Sequence, residues 1–100
     1  MRSRDVERVY GEGISSHGDL LVLFLAPGSG DLAVVASRRI GGAVRRNRAR
    51  RILRSAWREV TPGAGSGFDA VAVAKVAIVG ASTNDLVTEM NELLSKAPAR

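Results

Sequence analysis

Cysteine is absent from this 100-residue chain, and aromatic residues are few: one Trp, one Tyr and two Phe. Without cysteine there is no disulfide scaffold and no thiolate metal site, a composition that suits a reducing cytosol. A single histidine, His17, stands beside Ser15, Ser16 and Asp19 in a turn-rich segment. Near neighbours in sequence cannot form the oriented relay that a nucleophile needs, so His17 reads as a plain surface residue. The ten acidic residues are scattered and make no carboxylate cluster of the kind that holds Mg²⁺. The glycine stretches GEG and GAGSG are turns, because no Gly-Lys-Ser/Thr follows a strand to complete a phosphate loop. No apolar run approaches the roughly 20 residues that span a bilayer, and MRSRDVERVY lacks the apolar middle of a signal peptide. These absences predict a cytoplasmic single domain over residues 1–100, with no catalytic residue, no metal ligand and no membrane partner of its own.

Acidic residues are also missing from one particular stretch, and there the chain is most informative. Arg38 to Arg58, RRIGGAVRRNRARRILRSAWR, holds nine of the fifteen basic residues and no Asp or Glu. The net charge of +5 is therefore +9 here and −4 over the rest of the chain. A solvated helix face normally mixes signs to gain i,i+4 pairs, and like charges this dense are tolerated where an anion relieves them. A polyanion is the expected partner, and nucleic acid fits better than an acidic membrane surface. Arginine's planar fork suits phosphate and stacks on bases, but the chain is also rich in Ala, Gly and Val, as GC-rich coding makes it. The clustering carries the argument, not the choice of Arg over Lys.

Apolar spacing places this stretch among the other elements. Val6, Val9 and Tyr10 predict a short helix from Ser3 to about Glu12, capped by Ser3 or Asp5 and stopped by Gly11 and Gly13. GISSHGD has room for a short edge strand at most. Leu20–Ala26 and Leu32–Ala36 read as strands, and the short APGSGD connection predicts that they pair as an antiparallel hairpin. Gly41 and Gly42 lead into a helix from about Ala43 to Val60, roughly 25 Å long. Its Ala49, Ile52, Leu53, Ala56, Trp57 and Val60 gather on one side, with Asn47, Arg48, Arg50, Arg51, Arg54 and Arg58 opposite. TPGAGSG ends that helix. Phe68–Lys75 alternates as a strand with Val71 and Val73 on one face; VAIVGAS fits either an extension of that strand or a loop, with the loop favoured from Ala77. A last helix, from Thr83 or Asn84 to Lys96, is capped at Ser82 or Thr83. The order helix, short strand, two strands, helix, strand, helix predicts an α+β two-layer sandwich with helices on one face of a small sheet. The strands flanking the arginine helix need a crossover and should run parallel.

The run SRRIGGAVRRNRARRILRSAW resembles the signature of the protein subunit of bacterial ribonuclease P, a Ser-basic-basic-Val/Ile-Gly-Asn-Ala-Val segment followed by Arg-Asn-Arg and further basic residues. DVERVYGEG is similar to that family's first helix, LLVLFL to its second strand, FDAVAVAK to the strand after the basic helix, and LVTEMNELLSKA to its last helix. The resemblance implies an αβββαβα fold, similar to the second domain of ribosomal protein S5, with a left-handed βαβ crossover against the usual right-handed preference. It also implies an accessory role in an endoribonuclease holoenzyme, hydrolytic removal of the 5′ leader of precursor tRNA in tRNA processing. There an RNA subunit and its bound Mg²⁺ do the chemistry, and the protein holds no metal. The implied partners are ribonuclease P RNA and the precursor tRNA leader, with no obligate protein partner.

Carried over by position, the RNA-binding residues are Arg38, Arg39, Arg45, Arg46, Asn47, Arg48, Arg50, Arg51, Arg54 and Arg58. The leader cleft takes Val6, Tyr10, Phe24, Ser37 and Arg38. Two positions depart from the family's pattern: Val6 stands where an aromatic is common, and Gly42 where Asn is usual. The alternative that charge alone allows is a non-enzymatic RNA-binding module like a ribosomal protein. A DNA-binding helix-turn-helix is less consistent, because a strand precedes Ala43.

Overall fold

The computed structural model describes residues 3–63 and 67–96. It contains α1 (Ser3–Glu12), β1 (Ile14–His17), β2 (Leu21–Pro27), β3 (Leu32–Val35), α2 (Ala43–Val60), β4 (Phe68–Ala74) and α3 (Thr83–Ser95). Two short 3₁₀ turns, Arg38–Ile40 and Val76–Gly80, precede α2 and α3. The second occupies the segment where sequence pattern left strand and loop unresolved.

The four strands form one mixed sheet in the order β1-β2-β4-β3, with β3 and β4 parallel and the other pairs antiparallel. The parallel β3–α2–β4 crossover is as expected, but the β2–β3 hairpin is not formed. β4 lies between these strands, paired with β2 from Leu21↔Ala74 to Pro27↔Phe68 and with β3 from Leu32↔Ala70 to Val35↔Val73. That puts β2 and β3 about 9.6 Å apart, two strand spacings. The connection Gly28–Asp31 spans the start of β4 instead of closing a tight turn. The composition of β4 accounts for its central place: Ala70, Val71 and Ala72 are all fully buried, so the strand is apolar on both faces.

Asp69 makes that wide connection possible. Its Oδ1 accepts backbone N–H groups from Ser29, Gly30 and Asp31 at 3.0, 3.2 and 3.0 Å. Its Oδ2 meets Nη2 of Arg8 on α1 at 2.6 Å, and Arg8 Nη1 donates to the Pro27 carbonyl at 3.0 Å. Gly28 is required beside it, because a Cβ there would lie 2.0 Å from the Asp69 carboxyl carbon. Glu89 on α3 does the same work at the β1–β2 turn, its two oxygens accepting the backbone N–H groups of Asp19, Leu20 and Leu21 at 2.8 to 3.1 Å. Loop backbone that a sheet ladder cannot satisfy is satisfied by carboxylates.

The main core lies between the sheet and the pair α2 and α3. Leu21, Leu23 and Leu25 of β2 and Ala70, Ala72 and Ala74 of β4 meet Leu53, Ala56 and Trp57 of α2 and Leu86, Met90, Leu93 and Leu94 of α3. All six residues assigned to the apolar side of α2 are buried. Trp57 Nε1 reaches the Gly30 carbonyl at 2.8 Å, so the one indole is both core and donor. Helix α3 begins with Ser82 and Asp85 in a reciprocal capping box. The expectation that helices share one face holds for α2 and α3. Helix α1 lies on the other, where Val9 packs with Ala26 and Val71, and Val6 and Phe24 adjoin them. The amphipathic pattern of the ten residues of α1 fixes which side of the helix is apolar, not which side of the sheet receives it.

Candidate RNA interface

The basic segment is anchored at its entry by Ile40, 2% exposed, which leaves Arg38 and Arg39 on the same 3₁₀ turn facing outward. Gly41 then turns the chain with φ +132°, a conformation that excludes an L side chain, and a Cβ there would also lie 2.7 Å from Arg45 Cδ. Gly42 is the N-cap of α2 and makes no side-chain cap, so the Asn-to-Gly departure removes a capping amide and leaves the Arg46 N–H to Gly42 carbonyl bond as the first of the helix. No acidic residue occupies the first turn of α2, and Arg45 and Arg46 sit there against the positive end of the helix dipole. An anion near this end would relieve both.

The arginines of α2 do not form one uniform face. Arg51, Arg54 and Arg58 are exposed and point away from the core, together with Asn47. Arg46 differs, because it lies seven residues before Leu53 and so on the core side of the helix. It is half-buried, and its Nε is enclosed without a hydrogen-bond partner. Arg48, expected among the outward arginines, is also half-buried: its guanidinium donates to the Val79 carbonyl at 3.4 Å and to the Ala81 carbonyl at 2.6 Å. It ties α2 to the turn before α3. Asn47 Oδ1 accepts from Arg50 Nη1 at 3.2 Å, a local pair on the helix surface. The spacing that identified these residues as basic and helical does not say which of them also serve the fold.

The sheet face away from α2 carries the second group of candidates. Strand register sets it out in rows. Ser15, Phe24, Val71 and Ala33 form one row across the four strands, and His17, Val22, Val73 and Val35 form the next. Helix α1 covers Phe24 and Val71 in the middle of the first row and leaves Ser15 at its edge exposed. Tyr10 stands edge-on to Phe24, ring centroids 4.7 Å apart and planes at 79°, while remaining 42% exposed. Val6 is on the same helix, half-buried against this face. The second row stays more open, with His17 and Val35 exposed. At the far end of that row a recess of about 330 Å³ is lined by Ser37, Arg39, Ile40, Val73 and Lys75 among others. Val6, Tyr10, Phe24 and Ser37 therefore border one surface. Arg38 is exposed nearby but does not line the recess; Arg39 and Lys75 do. The sequence places Val73 on a strand face without linking it to a site and does not single out Lys75, Val22 or Val35; the register of β4 against its neighbours is the signal that brings them together.

Asp69 lies at the end of this face with a carboxyl held below its usual range. Desolvation by burial pushes it up, and the donors from Asp31, Arg8 and Ser29 outweigh that effect. A separate recess of about 510 Å³, between the β1–β2 turn and α3, is lined by Asp19, Asp85, Glu89 and Glu92. Its sign makes it unfit for phosphate. Among the described residues no group of three His, Cys, Asp or Glu side chains converges where a metal ion could sit.

A family model described as Ribonuclease P matches residues 1–98. The chain belongs to the ribonuclease P protein family. The ribonuclease P protein component of Dehalococcoides mccartyi is 34% identical over 99 residues, which cover 96% of this chain and 81% of that one. That of Coprothermobacter proteolyticus is 44% identical over 66 residues, covering 65% of this chain and just over half, 56%, of the relative. Among solved structures, the ribonuclease P protein from Thermotoga maritima, in complex with 1-(4-fluorophenyl)-2-thiourea, superposes with a TM-score of 0.82 at 23% identity, over 98% of this chain and 99% of that one. A Staphylococcus aureus ribonuclease P protein mutant with defective mRNA degradation activity gives 0.78 at 21% identity, over 95% of this chain and 83% of that one. The ribonuclease P protein fold is thus shared across nearly the whole chain. No helix among the described residues is long and apolar enough to cross a membrane.

Proposed function

We propose that this chain is the RNA-binding protein subunit of a cytoplasmic ribonuclease P, assisting a catalytic RNA in removing the 5′ leader from precursor tRNA. The observation that carries the reading is the division of the surface. The outward arginines of α2 lie on one side of the sheet and the apolar face bordered by Tyr10 and Phe24 on the other, and Arg39, on the turn that leads into α2, lines the recess beside Ser37 at the edge of that face. Phosphates of a folded RNA meet the first, and the bases of a single strand lie on the second. Arginine forks suit phosphate oxygens, and unpaired bases stack on aromatic side chains without demanding a particular sequence. The Mg²⁺ of the reaction is assigned to the RNA, which leaves the protein to position substrate and neutralise charge.

Reconstitution tests this reading. Adding the protein to a bacterial ribonuclease P RNA at low Mg²⁺ is expected to raise cleavage of precursor tRNA, and no gain would sink the proposal. A non-enzymatic RNA-binding module, the reading charge alone also allows, predicts no preference for precursor over mature tRNA in the same assay. Within the holoenzyme, Tyr10→Ala and Phe24→Ala are each expected to weaken binding of leader-bearing substrate by roughly 1 to 3 kcal/mol. Binding of mature tRNA should not change. Equal affinity of the unaltered holoenzyme for tRNA with and without a leader would remove the cleft from the proposal.

A further inference from the structure

Val44 is 84% exposed, the most open of the large apolar residues described. It stands in the first turn of α2, where a β-branched residue gains nothing in helix propensity over the alanine beside it. One exposed apolar side chain is ordinary. This one borders a recess of about 380 Å³ shared with Asn47, Arg48 and Arg51. Beyond Arg48 the apolar surface continues to Val79, 39% exposed, which with Arg45, Arg48 and Ala49 lines an adjoining pocket. An apolar strip therefore runs through the most basic part of the molecule.

Arg48 gives the strip its chemistry. Two backbone carbonyls hold its guanidinium, so the planar group is fixed before any partner arrives. A fixed guanidinium plane is a stacking surface for a base. Asn47 is oriented by the bond from Arg50 to its Oδ1, leaving Nδ2 as the donor end of a residue that lines the recess. Arg51 on one flank and Arg45 on the other supply positive charge for the sugar-phosphate on either side. Apolar surface, a preset planar cation, an amide donor and flanking arginines are together complementary to a nucleotide, and to little else that is both flat and anionic.

We infer that Val44 and the Arg48 guanidinium form a shelf on which one unpaired base of the partner RNA stacks, with Asn47 at the base edge and Arg51 at its phosphate. The inference rests on the RNA-binding reading given above and adds a non-ionic, base-directed contact to it. Such a contact selects for an exposed base in the RNA, where the arginines alone select only for phosphate density.

The measurement is the affinity of the full-length protein for a bacterial ribonuclease P RNA transcript as a function of salt, for Val44→Ala, Val44→Met and Arg51→Ala. Val44→Ala is expected to weaken binding about three- to tenfold, the scale of losing most of one buried apolar side chain. Its dependence of log affinity on log salt should keep the unaltered slope, because no phosphate contact is lost. Val44→Met, which restores apolar contact, should recover most of the loss. Arg51→Ala should lower the slope by about one. Since Val44 is so exposed, its variants retain the thermal midpoint, and a fold defect cannot imitate the result. Unchanged affinity in Val44→Ala while Arg51→Ala weakens binding would overturn the shelf and leave the RNA-binding reading standing. Unchanged affinity in both would overturn both. Loss of a self-associated form of the free protein in Val44→Ala, with RNA affinity intact, would assign the strip to protein contact and also overturn the inference.

Discussion

Asp69→Ala is expected to lower the thermal midpoint of the free protein by on the order of 20 °C, from a loss of roughly 3 to 5 kcal/mol. The carboxylate is 7% exposed and receives three backbone donors from the β2–β3 connection and the guanidinium of Arg8. Removing it strands those N–H groups in a loop that spans the end of β4, and leaves Arg8 without its anion. The loss would reach α1, which Arg8 holds to the sheet, and so the wall of the cleft that carries Tyr10. Arg8→Ala should cost less, since its side chain is 31% exposed and water replaces part of what is lost. The pH dependence has a defined sign. The folded carboxyl titrates below the usual carboxylate range, so its contribution is fully present above about pH 4, the ordinary carboxylate value, and declines as pH falls through the lowered folded value. Thermal melts from pH 7 to pH 2 check this: the unaltered protein should lose a component of acid stability that Asp69→Asn no longer has to lose. Equal midpoints for Asp69→Ala and the unaltered protein at pH 7 would show that the loop finds other partners.

Replacing Arg51, Arg54 and Arg58 together by Ala should reduce affinity for the RNA subunit about a hundredfold near physiological salt and lower the salt slope by about three. These three are exposed on the outward side of α2, and their loss should leave the thermal midpoint within about 1 kcal/mol of the original. Arg48→Ala should instead shift the midpoint downward and weaken RNA binding with little change in slope, because its guanidinium is held by the carbonyls of Val79 and Ala81 and offers the RNA a stacking plane, not a phosphate contact. The comparison separates arginines that neutralise a partner from one that holds the fold. A triple variant whose salt slope equals that of the unaltered protein would show that the outward arc does not meet phosphate.

Element positions were legible because periodicity and punctuation agree in this chain. The apolar side of α2 is correct at all six residues, since a helix against a sheet needs a continuous stripe, and a 3.6-residue period identifies it. Strand partnership was not legible. Leu21–Pro27 and Leu32–Val35 look like a hairpin because their connection is short, and the reason they are not one lies forty residues away, in a buried aspartate at the head of the intervening strand. The two-sided apolar character of FDAVAVA was the available sign that it belongs in the middle of the sheet. For the candidate interface, charge clustering identified the segment and resemblance identified the family. Neither distinguishes Arg48 from Arg51, because the carbonyls that engage Arg48 belong to a segment whose conformation the sequence pattern left open. His17 reads as a surface residue and is exposed, yet the register also aligns it with Val22 and Val73 at the margin of the cleft face.

The central place of β4 has a consequence for how the chain is made. Synthesis delivers β2 and β3 first, then the arginine helix, and only afterwards the strand that both of them require. Until Phe68–Ala74 arrives, two apolar strands have open edges and no direct claim on one another, a state prone to wrong pairing. The fold is closed by its penultimate element, through contacts distant in sequence, which slows folding relative to a hairpin-built sheet of the same size. Throughout that interval the densest positive charge of the molecule has already been made, so an anion that binds α2 meets it before the sheet beneath is complete.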